Sequence, residues 1–257
     1  MKIRTEQIEV FEQAAVRNFE DEMVEHLADF SPPLFKVIKQ DQMRQAVRFG
    51  MSQAGQYGLT LRGPLRLYLE MMLLFGSHFD TDPQYAWAAD ILKHQHSVTE
   101  MARAERLYQK TLDYQEKVSG PDDANTRKAL SDLSVLARSP ETFSSTNFRA
   151  SIRQEMIRVF PTKANYIGEE ALADLIQEGL AEASKYHFST HRGEALIVVL
   201  MFAFGHGCTK DPLYPWIART LADEKIIDPA ARAERLEKKA VTWLEHVIIS
   251  SPEGPQT

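Results

Sequence analysis

One short segment concentrates the residue types that most often bind metals. His78, Asp80 and Asp82 stand at alternate positions, and imidazole and carboxylate groups so placed are potential ligands of a divalent metal ion. His94 and His96 follow one predicted helix later and could converge on the same point. The spacing matches no established ligand pattern such as HExxH or paired CxxC. We therefore predict no metal site and no cofactor, and keep a small helical enzyme or metal-binding protein using the His78/Asp80 loop as the alternative.

Two other residues are candidates for catalysis. Cys208 follows His206 by two positions, and a nearby imidazole can activate a thiol. A lone cysteine beside an apolar segment is more often a packing residue. Glu70 lies within an apolar segment and could act as a buried general base. The chain contains no Walker loop, GxGxxG or GxSxG motif, so we predict no catalytic residues and leave Glu70 within the enzyme alternative.

The chain repeats itself at an offset of 129 residues. Residues 19–118 align with 148–247 without a gap, and 25 of the 100 pairs are identical, whereas random matching at average composition gives roughly 6. ARAERL at 102–107 recurs unchanged at 231–236. We therefore predict two tandem copies of one unit. The predicted organisation is unit 1 at 1–118, a short helical linker at 119–140 and unit 2 at 141–257.

The spacing of apolar residues predicts an all-α fold with about five helices in each copy. The first helix has an apolar stripe of residues three and four positions apart: Ile8, Phe11, Ala15, Phe19, Met23 and Leu27. The third, at 64–75, is apolar on nearly every side, which predicts a buried central helix. The expected helices are 6–29, 41–57, 64–75, 83–93 and 99–118, then 145–160, 169–187, 193–204, 212–223 and 229–249.

A compact motif, DPxYxW, occurs in both copies. Its residues are Asp82, Pro83, Tyr85 and Trp87 in the first copy and Asp211, Pro212, Tyr214 and Trp216 in the second. Aspartate is a preferred helix N-cap, and proline fits the first helical position. The aromatic side chains are expected to be largely buried in the core. We interpret the motif as structural, with a small aromatic ligand pocket as the alternative.

The first helix is strongly acidic, and its counterpart is not. Glu20 and Asp29 align with Arg149 and Arg158. Three interpretations remain open: a solvated face that has drifted, contact between the acidic and basic helices, or docking of a basic partner protein. We predict a partner-binding surface formed by a set of four acids: Glu20, Glu22, Glu25 and Asp29.

Composition narrows the classes of function. The formal net charge of −6 argues against a general nucleic-acid-binding protein. The first residues include no apolar core of signal-peptide length, and no apolar run approaches the ~20 residues of a membrane span. A single cysteine cannot form an intrachain disulfide and fits a reducing compartment. We expect a cytoplasmic protein without a membrane or nucleic-acid partner, and the sequence leaves its oligomeric state open.

Two segments of the first copy support a resemblance. RTEQIEVFEQA and LYLEMMLLFGSHFDTDPQYAWAADIL resemble a group of bacterial proteins encoded beside type VI secretion spike, PAAR-tip and effector genes. The resemblance covers about 1–107, and the second copy departs from it, with Thr209-Lys210 in place of Asp80-Thr81. It implies an accessory role as an effector adaptor, a chaperone or an immunity protein. The expected function is therefore non-enzymatic binding of another protein, such as a secreted effector or a spike component.

Overall fold

The helices follow one another with few intervening residues. The computed structural model describes residues 5–137, 146–188 and 190–250, and over these residues the chain is α-helical with no β-strand. This confirms the all-α prediction. The described helices are α1 Thr5–Phe30, α2 Pro32–Gln56, α3 Arg62–Phe75, α4 Ala86–Lys93, α5 Glu100–Tyr114, α6 Ala124–Ala137, α7 Phe148–Val159, α8 Pro161–Lys185, α9 His191–Phe204, α10 Pro215–Leu221 and α11 Pro229–Ser250.

Two apolar helices, α3 and α9, lie at the centre. Half of the residues of α3 and slightly more than half of those of α9 are buried, because a helix with a broad apolar surface is stable only when other elements cover it. Helix α2 packs on α3 and α8 packs on α9, and α1 and α7 cover α2 and α8 in turn. Helix α11 contacts both α6 and α2, so it joins the linker region to the first half.

Helices α2 and α8 each contain a kink at the same relative position. The backbone at Lys39 has φ 64° and ψ 176°, and that at Gly168, which lies 129 residues later, has φ 83° and ψ 174°. Only glycine adopts this region without strain. The kink explains why the periodicity predicted helices starting near residues 41 and 169, whereas the helical segments begin at Pro32 and Pro161.

The repeated ARAERL segment has a structural role at its arginine. Arg103 is buried, and its guanidinium donates to the carbonyl oxygens of Tyr57 and Leu92 at 2.8 and 3.1 Å. Arg232 donates to the carbonyls of Tyr186 and Ile226 at 3.5 and 2.7 Å. Arg103 thus satisfies carbonyl groups at the C-terminal ends of α2 and α4, and Arg232 binds one at the end of α8 and one in the loop before α11.

Several local features recur at the offset of 129 residues, including the bounds of α2 and α8 and those of α3 and α9. The superposition of residues 19–118 on 148–247 and the division into two units stay predictions. The proposed boundary between linker and second unit, at 140/141, lies outside the described residues. The same is true of the side chains of four residues of the first helix, Glu6, Ile8, Glu9 and Glu12.

Replacing Lys39 by glycine should stabilise the protein. Strain of this kind costs about 1–3 kcal/mol, and the greater freedom of glycine in the unfolded chain offsets about 0.5–1 kcal/mol of the gain. The Lys39 side chain is exposed, so little else should change. We expect the free energy of unfolding in urea to rise by about 1 kcal/mol.

The matched control is Gly168→Ala. A methyl group at this position would meet no atom within 4 Å, so any loss of stability reports the backbone conformation alone. We expect a loss of about 1 kcal/mol or more. Equal unfolding free energies for Lys39→Gly and the wild type would show that the kink at Lys39 is not strained.

Candidate functional site

The two DPxYxW aspartates cap the turns that follow them. Asp82 Oδ1 accepts a hydrogen bond from the amide of Gln84 at 2.9 Å, and Asp211 Oδ1 accepts one from the amide of Leu213 at 2.8 Å. Both carboxylates are buried. The cap is followed by a short 3₁₀ turn at Pro83–Tyr85, so α4 begins at Ala86 rather than at Pro83 as predicted.

Each aspartate also binds the backbone of the opposite half. The second oxygen of Asp82 accepts from the amide of His206 at 2.7 Å. Asp211 accepts from the amide of Ser77 at 2.7 Å and from the Ser77 hydroxyl at 2.6 Å. Ser77 and His206 are themselves 129 residues apart, so the two sets of bonds are reciprocal. The motif therefore links the two halves of the chain as well as capping its own turn.

The reciprocal bonds require the two chain segments to approach at backbone distance. Gly76 has φ 93° and Gly205 has φ 94°, a conformation that glycine adopts without steric cost. A Cβ atom on Gly76 would collide with the carbonyl oxygen of Phe204, and one on Gly205 would press on that of Phe75. Glycine is needed at both positions for conformation and for space.

The aromatic residues of the motif pack on the end of the preceding central helix. Tyr85 and Tyr214 are buried, with ring centroids 4.7 Å from Phe75 and Phe204, respectively. The tryptophans stand edge-on to the same two phenylalanines, at 5.9 Å for Trp87 and 6.4 Å for Trp216. Both tryptophans are of intermediate exposure and pack against the core, and their indole nitrogens are buried.

Burial dominates the electrostatics of the two caps. It raises the pKa of Asp211 to about 6, against the opposing effect of its hydrogen bonds from Ser77 and Leu213. Burial also raises the pKa of Asp82, while His206 and the hydrogen bonds from its amide and that of Gln84 act in the opposite direction. Ionised caps at this junction therefore carry a desolvation penalty.

Two of the four predicted partner-binding acids bind basic side chains of their own half. Glu20 is only 6% exposed, and its carboxylate lies 2.9 Å from Arg48 and 3.7 Å from Arg44. The expectation that Glu20 is a solvated docking residue is wrong, because α2 covers it. Glu22 is exposed and paired with Arg62. The acids are thus neutralised by α2 and α3 and not by the basic helix of the second half.

The remaining two acids, Glu25 and Asp29, are exposed. Neither has an ion-pair partner among the residues that the structure describes. They lie one helical turn apart. At 100° per residue, Phe11 is offset from Glu25 by only about 40° around the helix axis, and Glu22 lies three positions before Glu25. Both residues therefore share this side of α1. Phe11 is 70% exposed. We name these four residues, Phe11, Glu22, Glu25 and Asp29, the outer face of α1.

The His78/Asp80 loop does not assemble a metal site. Asp80 is buried and accepts a hydrogen bond from the Tyr57 hydroxyl at 2.9 Å. The His78 ring packs 5.1 Å from Phe49, and burial, followed by the neighbouring His206, lowers its pKa. Among the described residues, no three His, Cys, Asp or Glu side chains are grouped so as to hold a metal ion.

His206 interacts with residues that the sequence did not single out. Its Nδ1 lies 3.1 Å from Glu178, and its Nε2 lies 3.0 Å from the hydroxyl of Thr81. Cys208 is fully buried, and burial raises the pKa of its thiol well above the ordinary value. Such a thiol is a poor nucleophile at neutral pH.

Glu70 is also engaged. Its carboxylate lies 2.6 Å from His26 and accepts a hydrogen bond from Arg66 at 2.9 Å. The carboxylate therefore links α1 to α3. His94 and His96 are exposed and lie apart from any such cluster in the described part of the chain.

Comparison with protein families, curated proteins and solved structures finds no match to this chain. No helix among the described residues combines the length and apolar character needed to cross a bilayer.

Removing the Asp211 carboxylate should cost more than removing an ordinary helix cap. Asp211→Ala leaves three donors without an acceptor, and each buried unsatisfied donor costs about 1–3 kcal/mol. We expect a loss of about 3 kcal/mol or more in unfolding free energy. The control is Asp228→Ala, which removes an exposed cap of α11 and should cost about 0.5–2 kcal/mol. Equal losses would mean that the bonds to Ser77 add nothing.

The raised pKa of Asp211 makes stability depend on pH in a predictable direction. Its folded pKa of about 6 exceeds the unfolded value of about 3.9, so the folded state binds the proton more tightly. The stabilisation that protonation of Asp211 contributes is fully present below about pH 4 and is lost as the pH rises through about 6. The unfolding free energy of the wild type minus that of Asp211→Asn should fall across this window. A rising difference would contradict the assignment.

Proposed function

We propose that the protein acts without catalysis, by binding another protein through the outer face of α1. The observation that carries this proposal is the exposure of a stretch of α1 that precedes its packed residues. Every described side chain from Phe11 to Asn18 is exposed, although the helix continues unbroken to Phe30. Residues 11–18 therefore project from the core.

A projecting helical segment of this kind benefits from a partner. Isolated helices shorter than ~12–15 residues are marginal in water, and most helical stability in proteins comes from packing of an apolar face. Phe11 and Val16 leave large apolar side chains in water, at 70% and 46% exposure. A partner that covers Phe11 would bury this apolar surface and stabilise the helix.

The charge of the outer face indicates the chemistry of that partner. Glu25 and Asp29 are exposed without a counter-ion among the described residues, whereas Glu20 and Glu22 are held by arginines. A partner with a basic rim around an apolar recess would complement both Phe11 and the two acids. Together with the resemblance to proteins encoded beside secretion genes, this favours a secreted effector or a component of the secretion spike.

The test is titration of the purified effector or spike protein encoded beside the gene. Glu25→Lys/Asp29→Lys should slow association about tenfold and remove most of the salt dependence, since steering by exposed charges mainly sets the association rate. Phe11→Ala should weaken binding about tenfold, as expected for an interface anchor. All these residues are exposed, so the variants should fold.

The matched control is Glu170→Lys/Glu224→Lys, which reverses two exposed acids in the second half and so changes the net charge by the same amount. It should bind like the wild type. Binding that is insensitive to salt and to both outer-face variants would exclude α1 from the interface.

A hydrolytic activity is the second candidate, and one observation favours it. Thr81, His206 and Glu178 form a chain in which a hydroxyl meets an imidazole that is oriented by a carboxylate, the order found in activated nucleophiles. Hydrolysis of p-nitrophenyl acetate that Thr81→Ala and His206→Gln abolish, and that Thr81→Ser retains, would favour the enzyme. Rates equal to the uncatalysed reaction would remove this candidate.

A further inference from the structure

A cavity of about 430 Å³ lies where the two halves and the linker region meet. Its walls include matched pairs of positions 129 residues apart: Tyr85 with Tyr214, Tyr114 with Trp243, and Leu34 with Lys163. Its outer edge includes Phe30 and Asp123, which are exposed, so the cavity extends from the core to the surface. This volume is within the range of small-molecule sites, roughly 300–1,000 Å³.

Lys163 places a positive charge in this cavity. The side chain is 3% exposed, and within the described part of the chain its ammonium has one hydrogen-bond acceptor, the carbonyl oxygen of Phe202 at 2.5 Å. The ammonium nitrogen lies 5.5 Å from the Tyr85 ring centroid. An ammonium has three donors, and a buried charge is stable only when it is paired. Burial lowers the pKa of Lys163 to about 8, against the opposing effect of the Asp82 carboxylate, which makes no ion-pair contact with it among the described residues.

Trp243 supplies a second polar group without a partner. The residue is 8% exposed, and its indole N–H is buried and has no hydrogen-bond partner among the described residues. Of the three tryptophans, it is the one that lines this cavity. Its ring packs against those of Phe204 and Tyr214, at 4.8 and 5.5 Å between centroids. A buried donor of this kind is normally satisfied in a folded protein.

We propose that this cavity binds a small aromatic carboxylate, with the carboxylate between Lys163 and the Trp243 indole N–H and the ring among the tyrosines. A planar anion accepts from both donors, and aromatic walls favour a ring by edge-to-face packing. Lys163 is the buried cation of this cavity and matches a single negative charge; a dianion such as a phosphate ester would bury excess charge. Arg127, half-buried on the wall, adds positive charge nearer the surface. This site is separate from the outer face of α1.

The test uses calorimetric titration of the full chain with benzoate, 4-hydroxybenzoate and indole-3-acetate, each against its neutral amide. At least one acid should bind in a 1:1 ratio about tenfold or more tightly than its amide, because the amide lacks the charge that Lys163 requires. Lys163→Met keeps an apolar chain where the first half has Leu34 and should weaken binding of that acid about tenfold. Trp243→Phe keeps the ring but removes the donor and should weaken it several-fold.

The control is Trp216→Phe, the same change outside the cavity, at an indole N–H that is also buried without a partner in the described residues. It should leave binding unchanged. Thermal melts establish that each variant is folded. If none of the three acids binds saturably at about 5 mM, or if acid and amide bind equally, the proposal is wrong. It is also wrong if Lys163→Met and Trp243→Phe, where folded, bind like the wild type.

Discussion

The reciprocal hydrogen bonding of two buried aspartates is the interaction on which the rest of the structure depends. Asp82 and Asp211 each cap a turn of their own half and bind an amide of the other. These bonds form only because Gly76 and Gly205 let the two backbones approach. The central helices α3 and α9 end at this point, and the buried tyrosines of the motif pack against their last residues. This junction thus holds the ends of α3 and α9, and the halves to which they belong, next to each other.

The buried caps at this junction and the acids of α1 are held by different kinds of partner. Burial raises the pKa of both caps, because the hydrogen bonds that hold Asp82 and Asp211 oppose the desolvation penalty without cancelling it. Carboxylates on α1 are held by arginines of α2 and α3, or face solvent. Glu25 and Asp29, the acids of the outer face without an ion pair among the described residues, are exposed, whereas Lys163 is a buried cation that donates to a carbonyl oxygen.

Local patterns predicted the helices and the capping role of DPxYxW, because periodicity and N-cap preference act within a few residues. They did not predict the partners of Asp82 and Asp211 across the chain, since a bond from Ser77 to Asp211 depends on tertiary packing over 134 positions. Glu20 was misjudged for a related reason: its burial depends on Arg44 and Arg48 of the next helix, and an acidic run alone resembles a solvated face. Sequence spacing does not indicate that Thr81, His206 and Glu178 lie together. It also does not indicate that Lys163 and Trp243 line one cavity.

The reciprocal hydrogen bonds between the halves have a consequence for the cooperativity of folding. Either half alone would expose the end of its central helix. The first half would lose the acceptor of the Ser77 amide, and the second would lose both Ser77 donors to Asp211 and the acceptor of the His206 amide. Contacts within the junction are noncovalent and do not require the connecting segment to be intact. Two separate polypeptides, divided within that segment, would retain every bond described between Asp82, Asp211 and their partners. The two halves are thus complementary at this junction, because each supplies a carboxylate that accepts from an amide of the other.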